Sequence, residues 1–146
     1  MPIKLPYGDI HFPLDAGTAQ MVHQVLEFEQ TINPNWRSYY IYVTINQGIV
    51  KAGNSQRIGG AHFDGMQGSK YAKKLNVCHQ YLVSSAAPTI YYQGGFDFSE
   101  LDPAKHNFYK ECDRQKGNPI SARAGILTLQ TAYNIHESPI LSLIHI

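Results

Sequence analysis

Gly59-Gly60-Ala61-His62-Phe63-Asp64-Gly65-Met66-Gln67-Gly68 is the stretch on which the reading of this chain turns. It sets a histidine and an aspartate two residues apart between glycines. On an extended strand, residues i and i+2 point to the same face. His62 and Asp64 therefore project together, and Phe63 turns the other way. An imidazole beside a carboxylate makes two-thirds of a facial metal site, which a second histidine would complete.

The surrounding composition suits one folded domain over residues 1–146. Hydrophobic residues make up 43% and charged residues 16%, enough apolar material for a core and too little charge for disorder. The formal net charge is +1, and the basic residues are scattered. Lys70, Lys73 and Lys74 form the one local cluster, too small for a nucleic-acid footprint. The two cysteines, Cys78 and Cys112, form no CxxC and cannot build a disulfide framework, so a reduced, cytoplasmic setting is expected. No run is long and apolar enough to span a membrane, and none has the pattern of a signal peptide.

Read in order, the chain opens on a Pro- and Gly-bearing lead-in over residues 1–14. Asp15 is placed to cap an amphipathic helix over Ala16–Ile32, where Ala19, Val22, Val25, Leu26 and Phe28 fall near helical spacing; Asn33-Pro34 ends it. Trp36 to Val50 is rich in aromatic and β-branched residues and reads as a strand, with a turn at Asn46-Gln47-Gly48 and a short second strand at Ile49-Val50. Further strands are expected in Asn76–Ser84, Pro88–Tyr92, Gly125–Gln130 and Tyr133–His136. A long connection over Gly94–Asn118 carries some helical turn near Pro103–Glu111. One leading helix followed by strands without alternating helices argues against a parallel βαβ sheet. It favours a mainly β fold of sandwich, barrel or jelly-roll type with a flanking N-terminal helix, the β core running from about 36 to 139.

Seven histidines and six aspartates in 146 residues make about 0.3 His-x-Asp pairs expected by chance, so spacing alone says little. Context adds to it, because the pair sits at a glycine-bounded strand end, where function collects. His136 follows a late strand and precedes Glu137-Ser138-Pro139. His11 and His23 precede the core strands, His79 reads as a packed strand residue, and His106 as a solvated loop residue.

The series His62-Phe63-Asp64, Pro88-Thr89-Ile90-Tyr91, Ala124-Gly125-Ile126-Leu127 and His136-Glu137-Ser138-Pro139 resembles the Fe(II)/2-oxoglutarate-dependent dioxygenase superfamily. The resemblance covers about residues 36–139. It implies a double-stranded β-helix, a form of jelly roll, in which His62, Asp64 and His136 are the catalytic metal ligands. It implies Fe(II) as metal and 2-oxoglutarate as cosubstrate, whose oxidative decarboxylation by O₂ to succinate and CO₂ is coupled to oxidation of a substrate. Aspartate at position 64, rather than a small residue, implies hydroxylation or a related oxidation instead of halogenation. The family anchors the far carboxylate of 2-oxoglutarate with a basic residue shortly after the distal histidine, and Ile140–Ile146 contains no Arg or Lys. Arg57, Lys70 and Arg123 are basic candidates elsewhere, while Tyr81, Tyr91 and Tyr92 could hydrogen-bond a carboxylate; Tyr81, Tyr91 and Arg123 are the expected cosubstrate residues. Ser142–Ile146 resembles translated sequencing-adapter read-through, so residues 140–146 are expected to be a non-native tail on a truncated oxygenase.

Two other readings use the same residues. One is a cupin-like metal protein with the same three ligands and no 2-oxoglutarate. The other is a jelly-roll binding or structural module in which the three residues are incidental. The substrate, a small molecule or peptide, is not legible; Gln67–Lys74 and Gln93–Asn118 are the loops expected to select it, with Gly94-Gly95 as a hinge.

Overall fold

The computed structural model describes residues 2–11, 15–57, 59–64, 79–102 and 105–141. Among these residues the elements are mainly small antiparallel sheets, together with two α-helices. The chain divides into two compact units, 1–47 and 48–146.

In the first unit, β1 (Pro2–Lys4) pairs antiparallel with β2 (Ile41–Tyr42), and α1 (Ala16–Ile32) lies between them in sequence. The bounds of α1 follow from its caps. The Asp15 side chain accepts the Thr18 N–H at 3.0 Å, and the Asn33 N–H donates to Glu29 O at 2.8 Å, after which Pro34 cannot continue the helix. The long strand expected over Trp36–Val50 is much shorter. Trp36–Ser38 is a 3-10 turn, only Ile41–Tyr42 is paired, and Ile49 is fully exposed. A strand exists only where a partner supplies hydrogen bonds, and the partner β1 is three residues long.

In the second unit, β3 (His79–Leu82) pairs with β6 (Thr128–Thr131), with Gln80 opposite Gln130 and Tyr81 opposite Leu129. The other sheet has the order β5 (Pro119–Ser121), β4 (Ile90–Tyr92), β7 (His136–Glu137), all antiparallel. β5 had no counterpart in the sequence reading. The helical turn expected near Pro103–Glu111 falls later, as α2 (Phe108–Gln115), with the Asn107 side chain capping it at Lys110 N. Residues 76–78 of the strand expected over Asn76–Ser84, and the Gln67–Lys74 loop, lie outside the described residues.

The core of this unit is Ala61, Phe63, Phe108, Cys112 and Ile135, with Tyr92, Phe96, Phe98 and Leu101 packed around it. Alternation explains its composition. Phe63 stands between His62 and Asp64, is 1% exposed, and packs against Phe98 with the rings tilted and their centres 4.4 Å apart. Ile135, next to His136, is buried on the same side. Helix α2 thus contributes Phe108 and Cys112 to the side away from the two histidines. Its C-terminal end reaches β4, where Gly117 N–H bonds Gln93 O at 3.1 Å; a Cβ on Gly117 would stand 2.3 Å from that oxygen, so only glycine fits. Among the described residues no helix is long and apolar enough to cross a membrane.

Candidate metal centre

Two backbone pairings build the site. His62 N–H bonds His136 O at 2.9 Å and His136 N–H bonds His62 O at 2.8 Å, an exchanged pair of the closely spaced antiparallel type. Directly opposed residues share a face, so the two imidazoles stand side by side with ring centres 4.6 Å apart. On its other edge β7 pairs with β4, setting Tyr91 opposite His136 with ring centres 6.1 Å apart.

His62, Asp64 and His136 each offer a ligand atom, and these atoms lie within 4.8 Å of one another. His136 Nε2 is 3.9 Å from Asp64 Oδ2. Ligand atoms at right angles around an ion, each about 2.1 Å from it, are about 3 Å apart, so side-chain shifts of about 1 Å would close the site.

The histidine tautomers follow from their backbone contacts. His62 Nδ1 is 2.8 Å from Gly60 O, and His136 Nδ1 is 2.9 Å from Asn134 O. A carbonyl only accepts, so each Nδ1 carries a proton, and in the neutral ring Nε2 then keeps its lone pair. Both rings are thus fixed from behind in the manner typical of metal-ligating histidines. The carbonyl under His62 depends on Gly60, whose φ of +91° is one that side-chain-bearing residues rarely adopt.

Burial holds the pKa of His136 below the usual histidine value; the nearby His62 and Arg57 add to this, and the Asn134 carbonyl and Asp64 charge oppose it. At pH 7 the ring is therefore neutral, the form a metal ligand requires.

Of the residues expected to hold a cosubstrate, the structure brings only Tyr91 to the triad in its described contacts. The Tyr91 hydroxyl is buried without a hydrogen-bond partner among the described residues. Burial raises its pKa, and the Asp64 charge raises it further; Thr89 offsets part of this without meeting hydrogen-bond geometry. Tyr81 sits in β3 opposite Leu129, in the sheet that does not contain His136. Arg123 is exposed in the turn after β5, where its carbonyl accepts from Ile126 N–H. His79 pairs opposite Thr131 in β3, and His106 Nδ1 takes the Asp102 N–H at 2.9 Å, so neither joins the site.

No family model matches the chain, nor does any curated protein or solved structure. The chemistry of this centre therefore has to be argued from its own groups.

Several of those groups were not legible in the sequence. α2 backs the ligand strand. Tyr109 lies 6.0 Å from the His62 ring, centre to centre, and burial pushes the Cys112 thiol up to about 11 while the Phe63 N–H donates to its sulfur. β7 is pinned on the opposite face, where the Tyr92 hydroxyl donates to the Glu137 carboxylate and Lys116 Nζ lies 5.1 Å from the Tyr92 ring centre. Gln130, also buried, donates to Gln80 across β3 and β6.

Proposed function

We propose that the second unit is the metal-binding core of an O₂-using oxidoreductase of the Fe(II)/2-oxoglutarate type, built as a double-stranded β-helix and acting in the cytoplasm on a small-molecule or peptide substrate. One observation carries the metal reading. Two histidines with protonated Nδ1 and free Nε2 converge with one carboxylate, ligand atoms within 4.8 Å of one another. The fold reading is supported by two small antiparallel sheets, one of which continues from β5 through β4 and β7 to the His62 segment.

The donor set fits Fe(II): two neutral nitrogens and one anionic oxygen leave coordination positions open for small oxygen ligands. The orphaned Tyr91 hydroxyl fits as well, because a buried donor without a partner costs about 1–3 kcal/mol unless something accepts its hydrogen bond. Bound there, Fe(II) would supply activation of O₂ together with 2-oxoglutarate, whose decarboxylation to succinate and CO₂ accompanies insertion of one oxygen atom into a substrate C–H bond. His62 and His136 would hold the metal through Nε2, Asp64 would hold it through a carboxylate oxygen, and the Gly60 and Asn134 carbonyls would keep both rings in the ligating tautomer. Tyr91 would donate its O–H to an oxygen atom of a bound ligand, and the Phe63 layer would exclude water from behind.

Anaerobic Fe(II) titration followed by 2-oxoglutarate tests this reading. A weak visible charge-transfer band on adding 2-oxoglutarate is expected. Iron binding without the band points to the cupin-like alternative. No iron binding leaves a jelly-roll module with incidental polar residues.

A further inference from the structure

Each histidine of the triad meets a carbonyl two residues upstream of itself, and the two carbonyls are aimed by different means. Gly60 reaches its position through a φ of +91°. Asn134 is held by its own side chain. It closes the turn Thr131-Ala132-Tyr133-Asn134 between β6 and β7, where its N–H bonds Thr131 O at 3.3 Å. Its side-chain oxygen accepts twice, from the Thr131 N–H at 2.7 Å and from the Thr131 hydroxyl at 2.9 Å. Thr131 Oγ1 in turn accepts the Tyr133 N–H at 3.3 Å. The main-chain oxygen of the same Asn134 then meets His136 Nδ1 at 2.9 Å.

The rest of this strand is fixed independently. Tyr92 N–H bonds Ile135 O at 3.1 Å, and His136 exchanges two backbone bonds with His62. Those bonds place the His136 backbone and leave the imidazole to be turned by what it meets. The Asn134 carbonyl lies outside them, so its direction rests on the backbone torsions of Asn134, which the clamp to Thr131 constrains. Thr131 and Asn134 are both exposed, so water competes for the same bonds and their net contribution to stability is modest. Their larger consequence is directional. With the proton held on Nδ1, the neutral His136 ring offers its Nε2 lone pair 3.9 Å from Asp64 Oδ2; with the proton on Nε2, that atom could not ligate a metal.

Resting on the metal reading of the triad, we propose that Asn134 is a positioning residue for the metal centre: clamped to Thr131 through its side chain, it holds its carbonyl against His136 Nδ1 and so selects the tautomer and ring orientation that present Nε2 to the ion.

Two readouts on the full chain test this: the His136 tautomer in the metal-free protein at about pH 8, from ring nitrogen shifts in long-range ¹H–¹⁵N NMR, and Zn(II) affinity by competition with a chelating dye. Wild type is expected to show the Nδ1–H tautomer. N134A should shift His136 toward the Nε2–H form and weaken Zn(II) binding by about tenfold, as losses of such outer contacts do. N134D, whose carboxylate still accepts both Thr131 bonds, should restore the tautomer and bind Zn(II) at least as tightly as wild type. T131V, which keeps the N–H and loses the hydroxyl, should fall between wild type and N134A, and it carries the test if N134A fails to fold. D15A is the control, because the Asp15 carboxylate accepts the N–H and hydroxyl of Thr18 in the same way at the start of α1, in the other unit. It should lower the melting temperature and leave tautomer and Zn(II) affinity unchanged. Wild-type tautomer and affinity in N134A and T131V overturn the role of Asn134 and leave the metal site standing. Equal losses of Zn(II) affinity in N134A and D15A overturn it too, since stability alone would then explain them. Failure of wild type to take up Zn(II) removes the metal reading and this inference with it.

Discussion

Each of the two units buries a basic side chain, and they do so differently. Lys4, 2% exposed, sends its ammonium protons to three carbonyls: Arg37 O at 2.7 Å, and Leu5 O and Tyr39 O at 3.0 Å. Every donor it has is used by the protein, and Trp36 lies alongside with its ring centre 5.4 Å from Nζ. His136, 7% exposed, makes its hydrogen bond through Nδ1 and leaves Nε2 facing Asp64 Oδ2 at 3.9 Å, and the neighbouring Tyr91 hydroxyl meets no hydrogen-bond partner among the described residues. A buried polar group whose bonding capacity is exhausted internally is a staple. One with capacity left over is a place where something else binds.

That contrast can be broken in several ways. The largest effect is expected from H136A. Loss of an outer contact to a ligand costs about 10–100-fold in metal affinity, so loss of the ligand itself should exceed about 100-fold, measured by competition with a chelating dye. K4M should leave metal affinity unchanged and destabilise the chain by about 1–3 kcal/mol in denaturant unfolding, because three carbonyls lose their donor. Y91F should have the opposite sign in the metal-free chain, a gain of about 1 kcal/mol, because it removes a buried hydroxyl that nothing satisfies. If Y91F and K4M destabilise alike, the distinction between staple and site fails at Tyr91. G60A should cost about 1 kcal/mol, since alanine resists a φ of +91°, and should weaken metal binding by about tenfold as the Gly60 carbonyl leaves His62 Nδ1.

The smallest effect concerns pH. The folded-state pKa of His136 lies below the unfolded value near 6.5, so between the two the unfolded chain binds more protons. Stability of the chelator-treated protein should therefore fall as pH drops from about 6.5 through the lowered folded value, with no contribution from this group above that range. Thermal unfolding at a series of pH values should show this slope in wild type and a flatter one in H136Q.

How far the sequence could be read depended on how local each signal was. Helix α1 was legible to the residue, because Asp15 and Asn33-Pro34 cap and stop it within the segment itself. The strand at Trp36–Val50 was overextended because β propensity describes a surface that can pair, and pairing is settled elsewhere, here by three-residue β1. β5 was missed for the converse reason: Pro119-Ile120-Ser121 has little strand character and is ordered by pairing with β4. In the site, the shared face of His62 and Asp64 follows from period-two alternation, with Phe63 buried behind them. The meeting of His62 with His136 required long-range register, which only chain order hinted at. The acceptors on Gly60 and Asn134 were not legible, since a backbone carbonyl has no residue type; the Gly59-Gly60 pair was the one local clue.

The central claim is that His62, Asp64 and His136 hold one metal ion. Anaerobic equilibrium dialysis against Fe(II), with wild type and the H62A/D64A double variant side by side, tests it most directly. One equivalent of iron retained by wild type and none by the variant is the expected result; equal retention by both, or none by wild type, would contradict it.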